Sequence, residues 1–289
     1  MITLRPMLVI AGLTLREIVR RRIAWVLLIL ALASVALVGV GVQRLVTFAR
    51  ADGVAELEIR IGVSQVLIMI AFMFSFVLAM SAAFLAAPAI ASDVETGTVL
   101  AMLARPIRRA DLVVGRWLGL SIAIAVYAVV SGLLAIAVVN LVSGHLPPFP
   151  LLAVGYLAWQ AITVLTLALA LGTRLPAIAA GAVTVVVFGL GWFVGVLGSI
   201  AIVFNAEPLA RAADVLGVVL PTDGLWRGVI YGLEPPLVAM LASGASARGL
   251  QASPFFAVSA PSVLFVAWSV VWVVLMVIAG ALLFRRREL

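Results

Sequence analysis

Six apolar runs, each about 20 residues or longer and nearly free of charge, constrain this chain more than any other feature. They cover Ile23–Val42, Ser64–Ala91, Trp117–Val142, Leu151–Gly172, Ala177–Phe204 and Pro261–Phe284. A run of about 20 apolar residues crosses the roughly 30 Å hydrocarbon core of a bilayer as an α-helix. Inside that core every backbone N–H and C=O must find its partner within the protein, so the runs are expected to be helices rather than loops or open strands. The rest of the composition agrees: 65% of the 289 residues are hydrophobic, 11% are charged, and mean hydropathy is +1.30. The expected architecture is all-α and polytopic, one membrane domain over residues 1–289.

Charge then orients the runs. There are 19 basic and 12 acidic residues, a net charge of +7, and every basic residue is arginine. A pI near 11.3 would suggest a nucleic-acid partner in a soluble protein. Here the arginines cluster beside membrane ends, so no nucleic-acid partner is expected. With the N-terminus in the cytoplasm, Arg5, Arg16, Arg20–Arg22, Arg105, Arg108, Arg109, Arg116, Arg174 and Arg285–Arg287 lie inside, 13 in all. Arg44, Arg50, Arg60, Arg211, Arg227 and Arg248 lie outside, 6 in all. This is the positive-inside pattern, with six spans and both termini cytoplasmic. Residues 1–22 repeat apolar positions at Leu4, Leu8, Ala11, Leu15 and Ile18, the pattern of an interfacial amphipathic helix drawn to anionic membrane lipids. A signal peptide cut after Ala31–Ala33 is the alternative, but the apolar run continues to Val42.

The chemistry the chain lacks narrows its function. With no cysteine and one histidine, His145, it offers no disulfide or thiolate metal site. Without lysine it contains no Walker A phosphate loop, so an ATP-driven machine would need its motor on another polypeptide. No Asp, Glu, Lys, Arg or His falls well within the six apolar runs, which disfavours a secondary transporter. No nucleophile–base pair is evident there either, which disfavours an intramembrane enzyme.

The charged segment Ile90–Gly119, IASDVETGTVLAMLARPIRRADLVVGRWLG, is the most informative one. Asp93 and Glu95 precede Gly97-Thr98, a short apolar helix is expected over Val99–Ala104, and Arg105-Pro106 ends it. The acidic pair suits the N-terminal end of that helix and Arg105 its C-terminal end. Gly97 allows a sharp turn and Thr98 a cap. By composition alone this is equally an ordinary charged loop between spans.

Asp93, Glu95, Gly97, Thr98, Val99, Leu103, Pro106, Ile107, Arg109, Gly115, Arg116 and Gly119 together resemble the signature of type-2 ABC exporter permeases, with Asp93 where glutamate is commoner and Arg116 where lysine is commoner. The resemblance implies that residues 92–116 form a cytoplasmic coupling loop. Asp93, Glu95, Gly97, Thr98, Leu103, Pro106 and Arg109 would couple it to two copies of a separate ATPase subunit, which would bind ATP and magnesium. It also implies a homodimer paired through the first and fifth spans, in a bacterial cytoplasmic membrane. The layout is further similar to the permease of the transporter that assists maturation of the copper enzyme nitrous-oxide reductase.

The other connections are read more plainly. Gln43–Val63 is expected as a polar loop, with a short surface helix open to Glu58, Arg60 and their neighbours, Ser143–Pro150 as a tight turn with His145 at the surface, and Thr173–Pro176 as a short turn. Residues 205–260 form the long extracytoplasmic loop, expected to hold short helices lying on the membrane face. There Asp223 would cap Gly224–Leu233, and Trp226 and Tyr231 would join the interfacial aromatic belt. Gly191 and Gly195 form a GxxxG pair that serves either packing within the subunit or a dimer seam. The methionine and phenylalanine stripe of Ser64–Ala91 reads as packing or lipid-facing surface, with a hydrophobic substrate path as the other reading. The function expected is the membrane subunit of an ATP-driven exporter of a hydrophobic or amphipathic substrate; a secondary transporter or a non-catalytic scaffold is the alternative.

Overall fold

The structure of the chain, a computed structural model, describes residues 4–20, 22–97, 108–236, 238, 253–257 and 259–287. Among them are ten helices and no strand. In chain order these are α1 Leu4–Arg20, α2 Arg22–Ala51, α3 Glu56–Ala86, α4 Pro88–Glu95 and α5 Arg109–Ser143. Then follow α6 Pro150–Gly172, α7 Ala177–Phe204, α8 Glu207–Val219, α9 Thr222–Leu233 and α10 Val263–Arg285. Six of the helices are long and apolar enough to cross a membrane, so the chain is an all-α, multi-pass membrane protein.

The most buried of these, α6, lies at the centre and touches α3, α5, α7, α9 and α10. Its small and β-branched residues, among them Ala153, Ala161, Val164 and Ala168, are buried and let neighbours close in. The N-terminal helix α1 packs along α5 with Ile10, Ala11 and Thr14 turned inward and Leu8, Val9 and Leu13 exposed. That two-sided pattern is what an interfacial helix needs: protein on one side, acyl chains on the other.

Helix ends depart from the apolar runs because a membrane boundary is not a helix boundary. Gln43–Val63 is not a loop: α2 continues to Ala51 and α3 begins at Glu56. Arg44 and Arg50 ride on the exposed side of α2 beyond its apolar stretch, where charge costs nothing and the helical ladder simply continues. Pro88 opens α4, where its missing N–H is harmless, so the second span and the start of the charged segment form two nearly continuous helices. At the other edge of that segment, α5 is helical from Arg109, eight residues before Trp117.

The connection between α7 and α10 departs further. Its first helix, α8, has no buried residue and behaves as a surface helix. Its second, α9, does not lie on the face of the bundle. Thr222, Leu225, Trp226, Gly228, Val229, Ile230, Gly232 and Leu233 are all buried, and the helix is wedged against α6, α7 and α3. Trp226 is therefore a core residue rather than part of an aromatic belt; its ring packs against Phe72 with centroids 5.5 Å apart. Asp223 does not cap α9 either. The helix starts one residue earlier and Asp223 pairs with Arg227 one turn on, at 3.0 Å. His145 is likewise buried rather than at the surface, its Nε2 2.7 Å from Ser64 Oγ. Burial and the nearby Arg60 charge both push its imidazole below the usual histidine range, which keeps it neutral in that contact.

Candidate functional site

The described charged residues of the 90–119 segment gather at one end of the bundle, and Arg116 is their centre. Its guanidinium donates from Nη2 to Asp93 Oδ2 of α4 and from Nη1 to Glu17 Oε2 of α1, each at 2.8 Å. Arg116 is 12% exposed and Asp93 17%, so these charge-assisted bonds are only partly screened by water. The planar fork of arginine serves two carboxylates on two different helices at once, which the single ammonium of lysine does less well. A cleft of about 70 Å³ lined by Thr14, Glu17, Ser92, Asp93, Arg116 and Leu120 lies alongside.

Two glycines make the contact close enough. A Cβ on Gly115 would stand 2.7 Å from Ile10 Cβ, and one on Gly119 would stand 2.8 Å from Ala11 O. Any larger side chain at either position drives α1 off α5. The residues Gly115, Arg116 and Gly119 therefore act as one device. The glycines seat α1, and the arginine between them locks α1 to α4.

Asp93 and Glu95 lie in the last turn of α4. Carboxylates there meet the negative end of the helix dipole, and each is compensated by another element. Asp93 has Arg116. Glu95 Oε1 accepts from the backbone N–H of Ala177 at 3.3 Å, one of the orphan donors at the start of α7. Gly97 then takes φ +71°, the left-handed region that glycine enters without a Cβ penalty. Thr98, Leu103 and Pro106, with the helix expected over Val99–Ala104, lie outside the described residues.

Arg109 opens α5 and is committed elsewhere than with the acidic pair. Its Nη1 donates to Arg287 O at 2.7 Å and to Arg285 O at 3.3 Å. Arg287 in turn donates from Nη1 to Thr173 O at 2.7 Å. The two arginines thus satisfy carbonyls at the ends of α10 and α6, and tie the start of α5 to both.

Gly191 and Gly195 are brought together on one face of α7, and α9 of the same chain covers that face. A Cβ on Gly191 would lie 2.5 Å from Thr222 Oγ1, and one on Gly195 would collide with the Asp223 carboxylate. Sequence reasoning missed the polar ties that hold α9 there. Gln160 accepts from Ser75 Oγ at 2.8 Å and donates to Thr222 O at 3.0 Å. Arg227 reaches Gly195 O at 3.4 Å. Gln160 is the one signal that pointed to them: an amide in mid-span requires partners. Sequence reasoning also missed Glu17, whose partner lies 99 residues away.

The C-terminal end of α8 is closed by indoles. Trp268 and Trp272 of α10 donate from Nε1 to Val218 O and Val219 O, both at 2.8 Å, and satisfy carbonyls that α8 leaves unpaired at its C-terminus.

Six membrane-length helices, an N-terminal helix locked to them by an ion-pair bridge, and a short helix wedged among them define a multi-pass membrane protein. The particular family is the one whose model, described as ABC-2 family transporter protein, matches residues 8–289. The chain belongs to that family and is the membrane subunit of an ABC transporter, a multi-pass protein of, in bacteria, the inner membrane. Such permeases normally pair with an ABC ATPase subunit. No curated protein matches the chain.

Proposed function

We propose that this permease exports a hydrophobic or amphipathic substrate, and that ATP hydrolysis on two copies of a separate subunit drives it through residues 93–109. The observation that carries this reading is the Asp93–Arg116–Glu17 bridge. It joins the start of the charged segment to α5 and to α1, so a push delivered at 93–109 is passed on to a membrane span and to the N-terminal helix packed along it. ATP and magnesium belong to the partner subunit in this reading. The arginine distribution supports this reading, because the positive-inside pattern favours both termini and the bridge on the cytoplasmic side, where the nucleotide is.

A homodimer completes the transporter. Because α9 occupies the Gly191–Gly195 face, the seam along α7 runs through its exposed side chains such as Val186, Leu190 and Phe193. The likeness of layout to the copper-enzyme maturation transporter carries no substrate with it.

The experiment is co-purification with the ATPase and cargo-stimulated ATP hydrolysis, comparing the wild type with Glu95→Arg and Asp93→Arg. Both variants are expected to insert normally and to lose ATPase association or stimulation. Wild-type coupling in both variants removes the role of this segment. A secondary transporter is the competing reading, and Asp223 with Arg227 is the ion pair inside the bundle that it would use. Transport by the purified permease alone, abolished by Asp223→Asn, would establish it instead.

A further inference from the structure

A cavity of about 660 Å³ opens between α2, α3, α5, α6 and α9. It exists because α2 leans on α5 and meets α3 along much less of its length. Its walls are almost wholly apolar, with Leu37, Met69, Met73, Ile136 and Leu157 among them, and Gln65 and Tyr127 as rare polar points. Met69 and Met73 are 52% and 57% exposed, so the cavity opens sideways toward the membrane. On α3 the lining runs from Gln65 to Val77, about 18 Å along the helix axis. The volume lies within the range of about 300–1,000 Å³ usual for ligand sites. The curved walls drawn from five helices suit a flexible chain better than a straight partner helix.

Charge marks one end. Arg44 follows Ser34, Leu37 and Gly41 on α2 at helical spacing, so it lies on the cavity stripe about two turns above Leu37. Glu58 lies on α3 seven residues before Gln65, on the same stripe of its helix. Both are exposed, and neither has an ion-pair partner among the described residues, whereas Arg50 and Arg60 share Glu56. One free cation and one free anion flank the same end of an apolar slot.

We propose that this cavity seats a zwitterionic glycerophospholipid, its acyl chain between α2 and α3, its phosphate at Arg44 and its ammonium at Glu58. This rests on the reading of the chain as a permease for amphipathic cargo and names the cargo class. The site lies in the half of the membrane away from the Arg116 bridge, at the end where α2 turns into α3.

The test uses the purified full-length chain in nanodiscs with phosphatidylethanolamine carrying a photoreactive diazirine in mid-acyl chain. Labelled peptides are expected to concentrate on residues 31–38 and 65–77, and Ala135→Trp, which fills the cavity, is expected to abolish that labelling. Met73→Trp at the exposed mouth gives the same readout should Ala135→Trp fail to fold. Arg44→Ala and Glu58→Ala are each expected to lower labelling by about two- to five-fold, as loss of one exposed ion pair does. Labelling spread evenly over the lipid-facing helices, labelling unchanged by both tryptophan variants, or crosslinks through Met73 that join two copies would overturn the proposal. The assay contains no ATPase. Failure here with coupling intact removes the lipid seat alone, and lost coupling with labelling intact removes the ATP-driven reading alone.

Discussion

Arg116 carries two carboxylates from two helices on one guanidinium, and that arrangement makes it sensitive to a nominally conservative change. Arg116→Lys keeps the charge and loses the fork. It is expected to lower stability by about 1–3 kcal/mol, the cost of leaving a partly buried charged group short of a partner. Thermal melting in detergent, with Glu17→Gln as the second arm of a double-mutant cycle, measures the coupling. Glu234 offers a pH-dependent counterpart. It ends α9, its Oε2 accepts from Ala257 N at 3.2 Å, and its Oε1 is buried with no partner. Burial lifts its carboxyl from the ordinary 4.5 to about 7, against the opposing pull of the Ala257 N–H. Between those values the folded chain holds a proton that the unfolded chain has released. Stability is therefore expected to fall as pH rises from about 4.5 to 7 and to level off above that. Melting curves across this window, with Glu234→Gln removing the slope, check the assignment.

At the scale of elements, α1 and α9 are each held by backbone approach as much as by side chains. Gly119→Val is expected to push α1 from α5 and to cost about 1–3 kcal/mol, as overpacking does. If coupling runs through the bridge, the same variant also loses cargo-stimulated ATP hydrolysis. Gln160→Leu leaves Ser75 Oγ without its acceptor and Thr222 O without its donor. It is expected to loosen α9 by about 1–3 kcal/mol, which hydrogen exchange over residues 222–233 reads directly. These elements show how far the sequence could be read. The spans were legible because hydrocarbon tolerates so little charge that Ile23–Val42 or Trp117–Val142 stand out unaided. Helix ends were not, since Arg44 and Arg50 are as comfortable on a helix outside the bilayer as in a loop. The burial of α9 was not legible either. Leu225, Trp226 and Ile230 read the same whether they face acyl chains or a protein core, and the glycines that admit them lie on another helix. Asp93, Gly97 and Arg116 stood out through the family resemblance of their segment, since by composition alone they fit an ordinary charged loop. Glu17 was hidden because nothing local distinguishes an acid awaiting a distant partner from one facing solvent.

For the whole molecule, the arginine asymmetry makes a prediction about sidedness. The chain has no cysteine, so single cysteines report topology against a silent background. A cysteine at Gly97 is expected to resist a membrane-impermeant maleimide added to intact cells, and one at Gly144 to react with it. The opposite pattern would place the Asp93–Arg116 end outside and remove the ATPase from its reach. The helices α2 and α3 form the two long walls of the apolar cavity, and only the four residues 52–55 join them. A joint that short behaves as a fulcrum. The arms of such a pair of tongs spread least beside the joint and most at their far tips, where α1 leads into α2 and Arg116 grips. A swing about this joint is expected to open the slot mainly at the end remote from Arg44 and Glu58, and to leave the charged rim nearly still.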